Sequence, residues 1–381
     1  MNIAHYNRHV QVVKKQAGFV TITPSTTLST FVTLPLHPKL RIAVVRFSAL
    51  GDVVMVAGAV RALQRSLPGS TITWITSPLA YSLLKGFDGV QFEVIEKPRS
   101  IADYRAFYRA FRHHQFDVVL AMQANLRINL LYPALHAPVK IGFDRTRARE
   151  GQWLFCNRHI PFRDTHLVDS FLSFVKTLTD KPAPAIWDLP VDESELSWAR
   201  EQWQKLPKPW VAIHPHASKA ERNWLPERYA EVVKETASRW LGGVLLTGGN
   251  SPIELSLCAH LAQLAPGHTL NLCGKSTPKQ LAALLSLADV LIAPDTGAVH
   301  IARAMATPVV GLYAVASPKL TGPYQQLEYC VDRYPQAVKK YLGKYSGQLP
   351  WNTRVHHPDA MALIEVADVI LQLEKLLGQQ R

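Results

Sequence analysis

Asp289-Val-Leu-Ile-Ala-Pro-Asp-Thr-Gly-Ala-Val-His-Ile-Ala302 carries three signals in succession. The apolar run up to Ala293 reads as a buried parallel strand. Ile301-Ala-Arg-Ala-Met-Ala306 reads as a short helix. Between them Asp295, Thr296 and Gly297 place an acid, a hydroxyl and a glycine at the carboxyl end of a strand. Open α/β sheets bind ligands there. A helix beginning at Gly297 presents unpaired backbone N–H groups, the usual cradle for a phosphate. Asp and Thr also serve as plain N-caps, so the turn by itself leaves both readings open.

The same alternation extends outward from this stretch. Strands are expected at 210–214, 243–247, 269–272 and 308–313, with helices over 227–240, 252–264 and 277–287. An amphipathic helix is expected over 358–377. An earlier set has strands at 41–46, 71–75, 91–95 and 116–122, with helices over 53–67, 79–85, 102–114 and 127–135. Strands alternating with helices imply parallel, doubly wound sheets, here two in succession. The Pro-rich stretch from Lys181 and the Pro207-Lys-Pro209 run place the linker between 180 and 209. The expected division is an N-terminal extension at 1–40, a Rossmann-like domain at 41–195 and a second at 196–381. The C-terminal helix is free to pack back on the first domain.

The chain of 381 residues is 48% hydrophobic, enough for two packed cores. Its net charge of +13 is uneven. Residues 41–180 hold 18 Lys/Arg against 11 Asp/Glu, whereas residues 181–381 hold 20 against 18. A basic N-terminal half favours an anionic partner. Cys156, Cys258, Cys273 and Cys330 are scattered without metal spacing, as in a reduced, cytosolic protein. No apolar run approaches the roughly 20 residues of a membrane span, and no secretory signal is evident.

Several chemistries lack their motif. No G-x-G-x-x-G follows either first strand. Gly274-Lys-Ser-Thr277 imitates the end of a P-loop, but Thr269 stands where its first glycine belongs. No H-E-x-x-H occurs, and His214, His216 and His300 read as ordinary polar residues rather than a metal set. Ser48-Ala-Leu-Gly51-Asp52 repeats the ligand-turn logic at the first domain's first strand. Gly51 lets a ligand approach the backbone, and Asp52 is either a catalytic carboxylate or a helix cap.

Arg46-Phe-Ser-Ala-Leu-Gly-Asp-Val53, Arg222-Asn-Trp-Leu-Pro226 and Asp295-Thr-Gly-Ala-Val-His-Ile-Ala302 together resemble the bacterial ADP-heptose:lipopolysaccharide heptosyltransferases of glycosyltransferase family 9. The likeness covers residue 40 to the C-terminus, with heptosyltransferase I the most similar subgroup. It implies a GT-B fold, with acceptor on the first domain and nucleotide sugar on the second. It implies Asp52 as general base and Arg222 as the cation on the leaving group, where the heptosyltransferase I group commonly has lysine. It places Asp295, Thr296, Gly297, Ala298 and His300 beside the donor diphosphate and sugar. Gly51, Ser218 and Ser276 join the donor set, with Glu254 on the ribose. The implied acceptor, Kdo on lipid A, suits the basic half. Lys97, Arg99, Arg105, Gln123 and Arg127 are its candidate contacts, with Arg109 and Arg112 on the helical face of Arg105.

The resulting expectation is an inverting, metal-independent transferase without a cofactor, peripheral to the inner face of the inner membrane. Two alternatives remain. One is a GT-B enzyme of other activity, such as an epimerase or hydrolase. The other is a nucleic-acid-binding protein, for which no recognition module is present.

Overall fold

The computed structural model describes residues 39–163, 165–264 and 266–378. The expected extension at 1–40 falls almost wholly outside the described residues. Two six-stranded parallel sheets make up the described chain. The first holds β1 (Arg41–Val45), β2 (Thr71–Thr76), β3 (Gln91–Val94), β4 (Val118–Leu120), β5 (Val139–Gly142) and β6 (Arg158–His159), in the order 3-2-1-4-5-6. The second holds β7 (Trp210–Ile213), β8 (Gly243–Leu246), β9 (Thr269–Asn271), β10 (Val290–Pro294), β11 (Val309–Tyr313) and β12 (Val331–Asp332), in the order 12-11-10-7-8-9. The second order is the first read in reverse, so both sheets are wound alike. The order changes direction between β1 and β4, and between β7 and β10. Those switch points are where doubly wound sheets open a crevice.

The helix Leu50–Ser66 joins the two halves. It is buried along most of its length, from Gly51 through Leu63. It packs on the Leu167–Lys176 helix of its own half and on the Gly297–Ala304 helix of the other. A helix apolar on all sides is a core helix, and here the core runs continuously from one domain into the next. It starts earlier than the sequence suggests, which puts Asp52 inside its first turn.

The connection between the halves follows the Pro-rich stretch. Trp187 lies across the central helix and donates from Nε1 to the Val54 carbonyl at 2.8 Å. A Cβ on Gly58 would meet that indole at 2.7 Å, so the crossing needs glycine. The 195/196 boundary falls within the helix Glu193–Trp203. That helix packs on Pro278–Leu287, with the Trp203 indole donating to the Leu284 carbonyl at 2.9 Å. Few of its residues are apolar, which hid it from periodicity.

The C-terminal helix, whose partner the sequence left open, stays with its own domain. It spans Val366–Leu377 and packs on the helix Pro226–Trp240 and on β11 and β12, all in the second domain. Val369, Ile370, Leu373, Leu376 and Leu377 enter that domain's core. Each such burial stabilises by about 1.5–3 kcal/mol relative to exposure. The amphipathic stripe announces that the helix is buried on one side but not against which partner.

Candidate active site

The β1 turn and the β10 turn meet face to face. A Cβ on Gly51 would lie 2.7 Å from His300 Cδ2 and 3.0 Å from Gly297 Cα. A Cβ on Gly297 would lie 3.2 Å from the Gly51 nitrogen. Two glycines from two domains therefore permit a backbone-to-backbone contact that any side chain would force apart. Around it opens a cavity of about 740 Å³. Gly51 and Asp52 line it from the first domain. Ser218, Arg222, Ser276, Asp295, Thr296, Gly297, Ala298 and His300 line it from the second. All of these were picked out in the sequence.

On the first wall, Asp52 uses Oδ2 twice. It forms an ion pair with Arg46 and accepts from the Ala49 N–H at 3.2 Å. Oδ1 has no partner among the described residues. Arg46 is held in turn by the Met122 carbonyl, 2.7 Å from Nη1. The carboxylate is thus both a cap and a fixed group at the cavity wall, and the two readings of Asp52 are compatible.

On the second wall, the Arg222 Nη1 lies 3.0 Å from Asp295 Oδ2 and donates to the Asp295 carbonyl at 3.4 Å. The ion pair is close but not aligned as a hydrogen bond. Arg222 Nε, Asp295 Oδ2 and Thr321 Oγ1 are all buried without a hydrogen-bond partner. Buried polar groups are normally satisfied. All three belong to residues that line the cavity, so its wall carries polar groups open to a polar ligand. Burial pushes the Asp295 carboxyl above the usual range, and the Arg222 charge opposes this. Thr296 makes no side-chain cap on the helix Gly297–Ala304, so its hydroxyl does not claim the first-turn N–H groups. An anion fits that end.

The two histidines that line the cavity, His214 and His300, are buried and neutral at ordinary pH. Burial, helped by His166, lowers His300 to about 4. Burial likewise lowers His214 to about 4, and its Nδ1 contacts Thr247 Oγ1 at 3.0 Å. Glu254 stands just outside the lining. It accepts from the Gly249 N–H at 2.9 Å and from Ser251 Oγ at 2.6 Å. Burial alone would raise its carboxyl, but those donors, with His216 and His214, hold it below the usual range. It braces the Gly248-Gly249 loop that lines the cavity. Among the described residues no three His, Cys, Asp or Glu side chains converge as a metal site.

A second, basic cavity of about 270 Å³ adjoins the first, sharing Leu50 and Leu79 with it. Lys97, Arg99 and Arg127 line it against a single acid, Glu96. Burial, then the charges of Arg127 and Arg46, lower the Lys97 ammonium from its ordinary value. Crowded cations of this kind suit an anionic guest. Two expected acceptor contacts are not there. Gln123 is buried and spends Oε1 on the Phe47 N–H at 2.7 Å, so it shapes the β1 turn. Arg105 stands on the outer face of the helix Ile101–Phe111, because Phe107 and Phe111 take the inner face. Arg109 and Arg112 share that exposure.

The sequence reading missed Arg354, Thr277 and Asn250, which also line the main cavity. Arg354 makes no ion pair or hydrogen bond to another described residue and lies in an irregular segment that offers no periodicity. Arg46 was within a quoted motif; its place at a strand end beside Asp52 was the available signal.

Two Rossmann-like domains with both switch-point turns facing one cleft define a GT-B fold, the architecture of nucleotide-sugar enzymes. The sequence profile of glycosyltransferase family 9 (heptosyltransferase) matches residues 104–348, and the chain belongs to that family. It is 34% identical over 337 residues to the lipopolysaccharide core heptosyltransferase OpsX of Haemophilus influenzae, covering 88% of this chain and 96% of that one. It is 24% identical over 305 residues to lipopolysaccharide heptosyltransferase 1 of Salmonella typhimurium, covering 75% and 92%. Among solved structures, the family 9 glycosyl transferase of Veillonella parvula matches with a TM-score of 0.73 at 21% identity, over 89% of this chain and 98% of that one. The ADP-heptose LPS heptosyltransferase II of E. coli matches with a TM-score of 0.68 at 19% identity, over 90% and 99%.

The buried imidazoles make a pH prediction. Folded His214 protonates near 4 and an unfolded histidine near 6.5. Between those values the unfolded chain binds more protons, so stability falls as pH falls through the window and is fully present above it. The loss approaches about 3 kcal/mol for such a group. Asp295 acts in the opposite sense, since its carboxyl holds a proton more readily when folded. Comparing denaturant unfolding of the native protein with His214→Gln from pH 7 to about 4 isolates the imidazole. The variant should show the flatter profile; parallel profiles would contradict the assignment.

Proposed function

We propose that this heptosyltransferase acts in lipopolysaccharide core biosynthesis, moving heptose from ADP-heptose to Kdo of the lipid A inner core with inversion. The observation that carries this reading is the single cavity shared by Asp52 on one domain and the Arg222–Asp295 turn on the other. A base and an anion site line the same cavity from its two walls. Relatives named for lipopolysaccharide core transfer support the acceptor class. A similar E. coli heptosyltransferase, WaaC, is known with ADP.

The chemistry follows from the residues. The acceptor hydroxyl attacks the anomeric carbon while the bond from that carbon to the diphosphate oxygen breaks. Asp52 Oδ1 takes the hydroxyl proton, with Arg46 fixing the carboxylate through Oδ2. The electron pair leaves with ADP. Arg222, Arg354 and the N–H groups of the Gly297 turn stabilise the charge that develops on it. Those groups supply the neutralisation that a divalent cation otherwise provides, so the reaction proceeds without metal. Neutral His300 offers the sugar a hydrogen bond without adding charge. Lys97, Arg99 and Arg127 hold the anionic acceptor beside Asp52. The lipid-linked acceptor brings the protein to the inner membrane's cytoplasmic face, where it works peripherally.

ADP release from ADP-heptose, followed with and without Kdo-lipid A, is the test. Release should require the acceptor; release at the same rate without it would favour a hydrolase. Asp52→Asn should keep ADP affinity and lower turnover by roughly two to four orders of magnitude, the usual range for a general base. A variant that melts earlier with turnover per folded molecule intact would reduce Asp52 to a cap. EDTA should leave the rate unchanged; loss on chelation with recovery on Mg²⁺ would overturn the metal-free mechanism.

A further inference from the structure

Exposed apolar side chains gather on one edge of the first domain. Leu126 is 52% exposed, Leu154 66% and Trp153 39%, with Leu130 and Tyr108 exposed nearby. Hydrogen bonds tie these segments into one surface. Tyr104 and Tyr108 donate from their hydroxyls to the Arg127 and Leu130 carbonyls, each at 2.9 Å. The Leu126 N–H donates to Glu150 at 2.5 Å, and the Asn129 amide donates to the Arg149 and Glu150 carbonyls at 3.1 and 3.0 Å. Gln152 is fully buried and donates to the Ala121 carbonyl at 2.8 Å. The short turn it anchors then leaves Trp153 and Leu154 outside.

Arginines are interleaved with these residues. Arg127 sits between Leu126 and Leu130, and the Arg145 guanidinium lies 4.5 Å from the Trp153 ring centre. Between 96 and 150 there are ten Lys/Arg and five Asp/Glu. Four of the acids are engaged locally: Asp117 pairs with Arg41, Asp144 with Arg147, Asp103 accepts from the Arg99 and Ser100 N–H groups, and Glu150 accepts from the Leu126 N–H. The surplus positive charge is therefore not neutralised within the face. Arg127 also lines the basic cavity, so the apolar edge borders the entrance to the acceptor site.

We propose that the Leu126–Leu130 and Trp153–Leu154 edge is a docking face for an anionic lipid bilayer. Apolar tips with an aromatic ring enter the headgroup boundary, and the arginines meet lipid phosphates. This rests on the acceptor being lipid-linked, as proposed above: docking here presents the headgroup sugar to Lys97, Arg99 and Arg127 without extracting the acyl chains. A protein partner or a second copy of the chain would want the apolar residues but has no need of the uncompensated arginines.

Vesicle flotation tests this. The full-length protein should float with vesicles of phosphatidylethanolamine and phosphatidylglycerol lacking any lipopolysaccharide. It should float poorly with phosphatidylcholine alone and progressively less as salt rises. Trp153→Ser with Leu154→Ser should lower the partition by on the order of tenfold. Arg145→Glu with Arg149→Glu should remove its lipid-charge dependence. Melting temperature, ADP affinity and transfer to a water-soluble Kdo acceptor should be unchanged in both variants. Equal flotation of wild type and the Ser variant, or no flotation at all, would overturn the proposal. So would a dimer in sedimentation that the Ser variant breaks, because the face would then be self-covered. Transfer to the soluble acceptor reads the catalytic proposal separately: docking can fail while transfer survives, and the reverse.

Discussion

Gly51 and Gly297 bring two backbones so close that a Cβ on Gly51 would lie 3.0 Å from Gly297 Cα and one on Gly297 3.2 Å from the Gly51 nitrogen. The site depends on that contact. Each glycine sits in a strand-to-helix turn at its own sheet's switch point, so the contact aligns two crevices into one. It also seats the helix Leu50–Ser66 against Gly297–Ala304, which lets one apolar core run through both domains. The hydrophobic effect holds the halves together without direction. The glycine contact fixes the register in which they are held.

The electrostatics build on this geometry. Asp295 is buried with a single cation, Arg222, close at 3.0 Å but unaligned. A buried charge pair with unsatisfied polar atoms costs stability, and such costs concentrate where ligands bind. Asp52 differs: Arg46 and a backbone N–H occupy one carboxylate oxygen and leave the other free. One carboxylate is buried against a cation, and the other keeps an oxygen open at the cavity wall. The basic cavity lies beside them, joined to the main one at Leu50 and Leu79.

Much of this was legible from the sequence because strand, turn and helix follow one another in a short span. Gly51, Asp52, Asp295, Thr296, Gly297 and His300 were found that way, and the cavity gathers them. What periodicity cannot report is the partner of an apolar stripe, so the sequence left open which domain the C-terminal helix packs on. Short or exposed elements were also lost: β6 spans only Arg158–His159, both exposed. Gln123 follows a strand end, as a ligand contact would, but the β1 turn lacks a backbone partner for Phe47 N–H and takes the amide instead. Arg354 is brought in by tertiary folding of an irregular segment, which leaves no trace in local pattern.

The central claim is that the glycine contact sets the distance between base and anion site. Gly51→Ala measures it directly, because the added methyl meets the His300 ring at 2.7 Å and must push the turns apart. The variant should fold, as its melting curve would show, and bind ADP within a few-fold of wild type. Its kcat/KM for heptose transfer should fall on the order of a hundredfold, the scale of an ångström's misplacement of reacting groups. Transfer by folded Gly51→Ala at close to the wild-type rate would contradict the account.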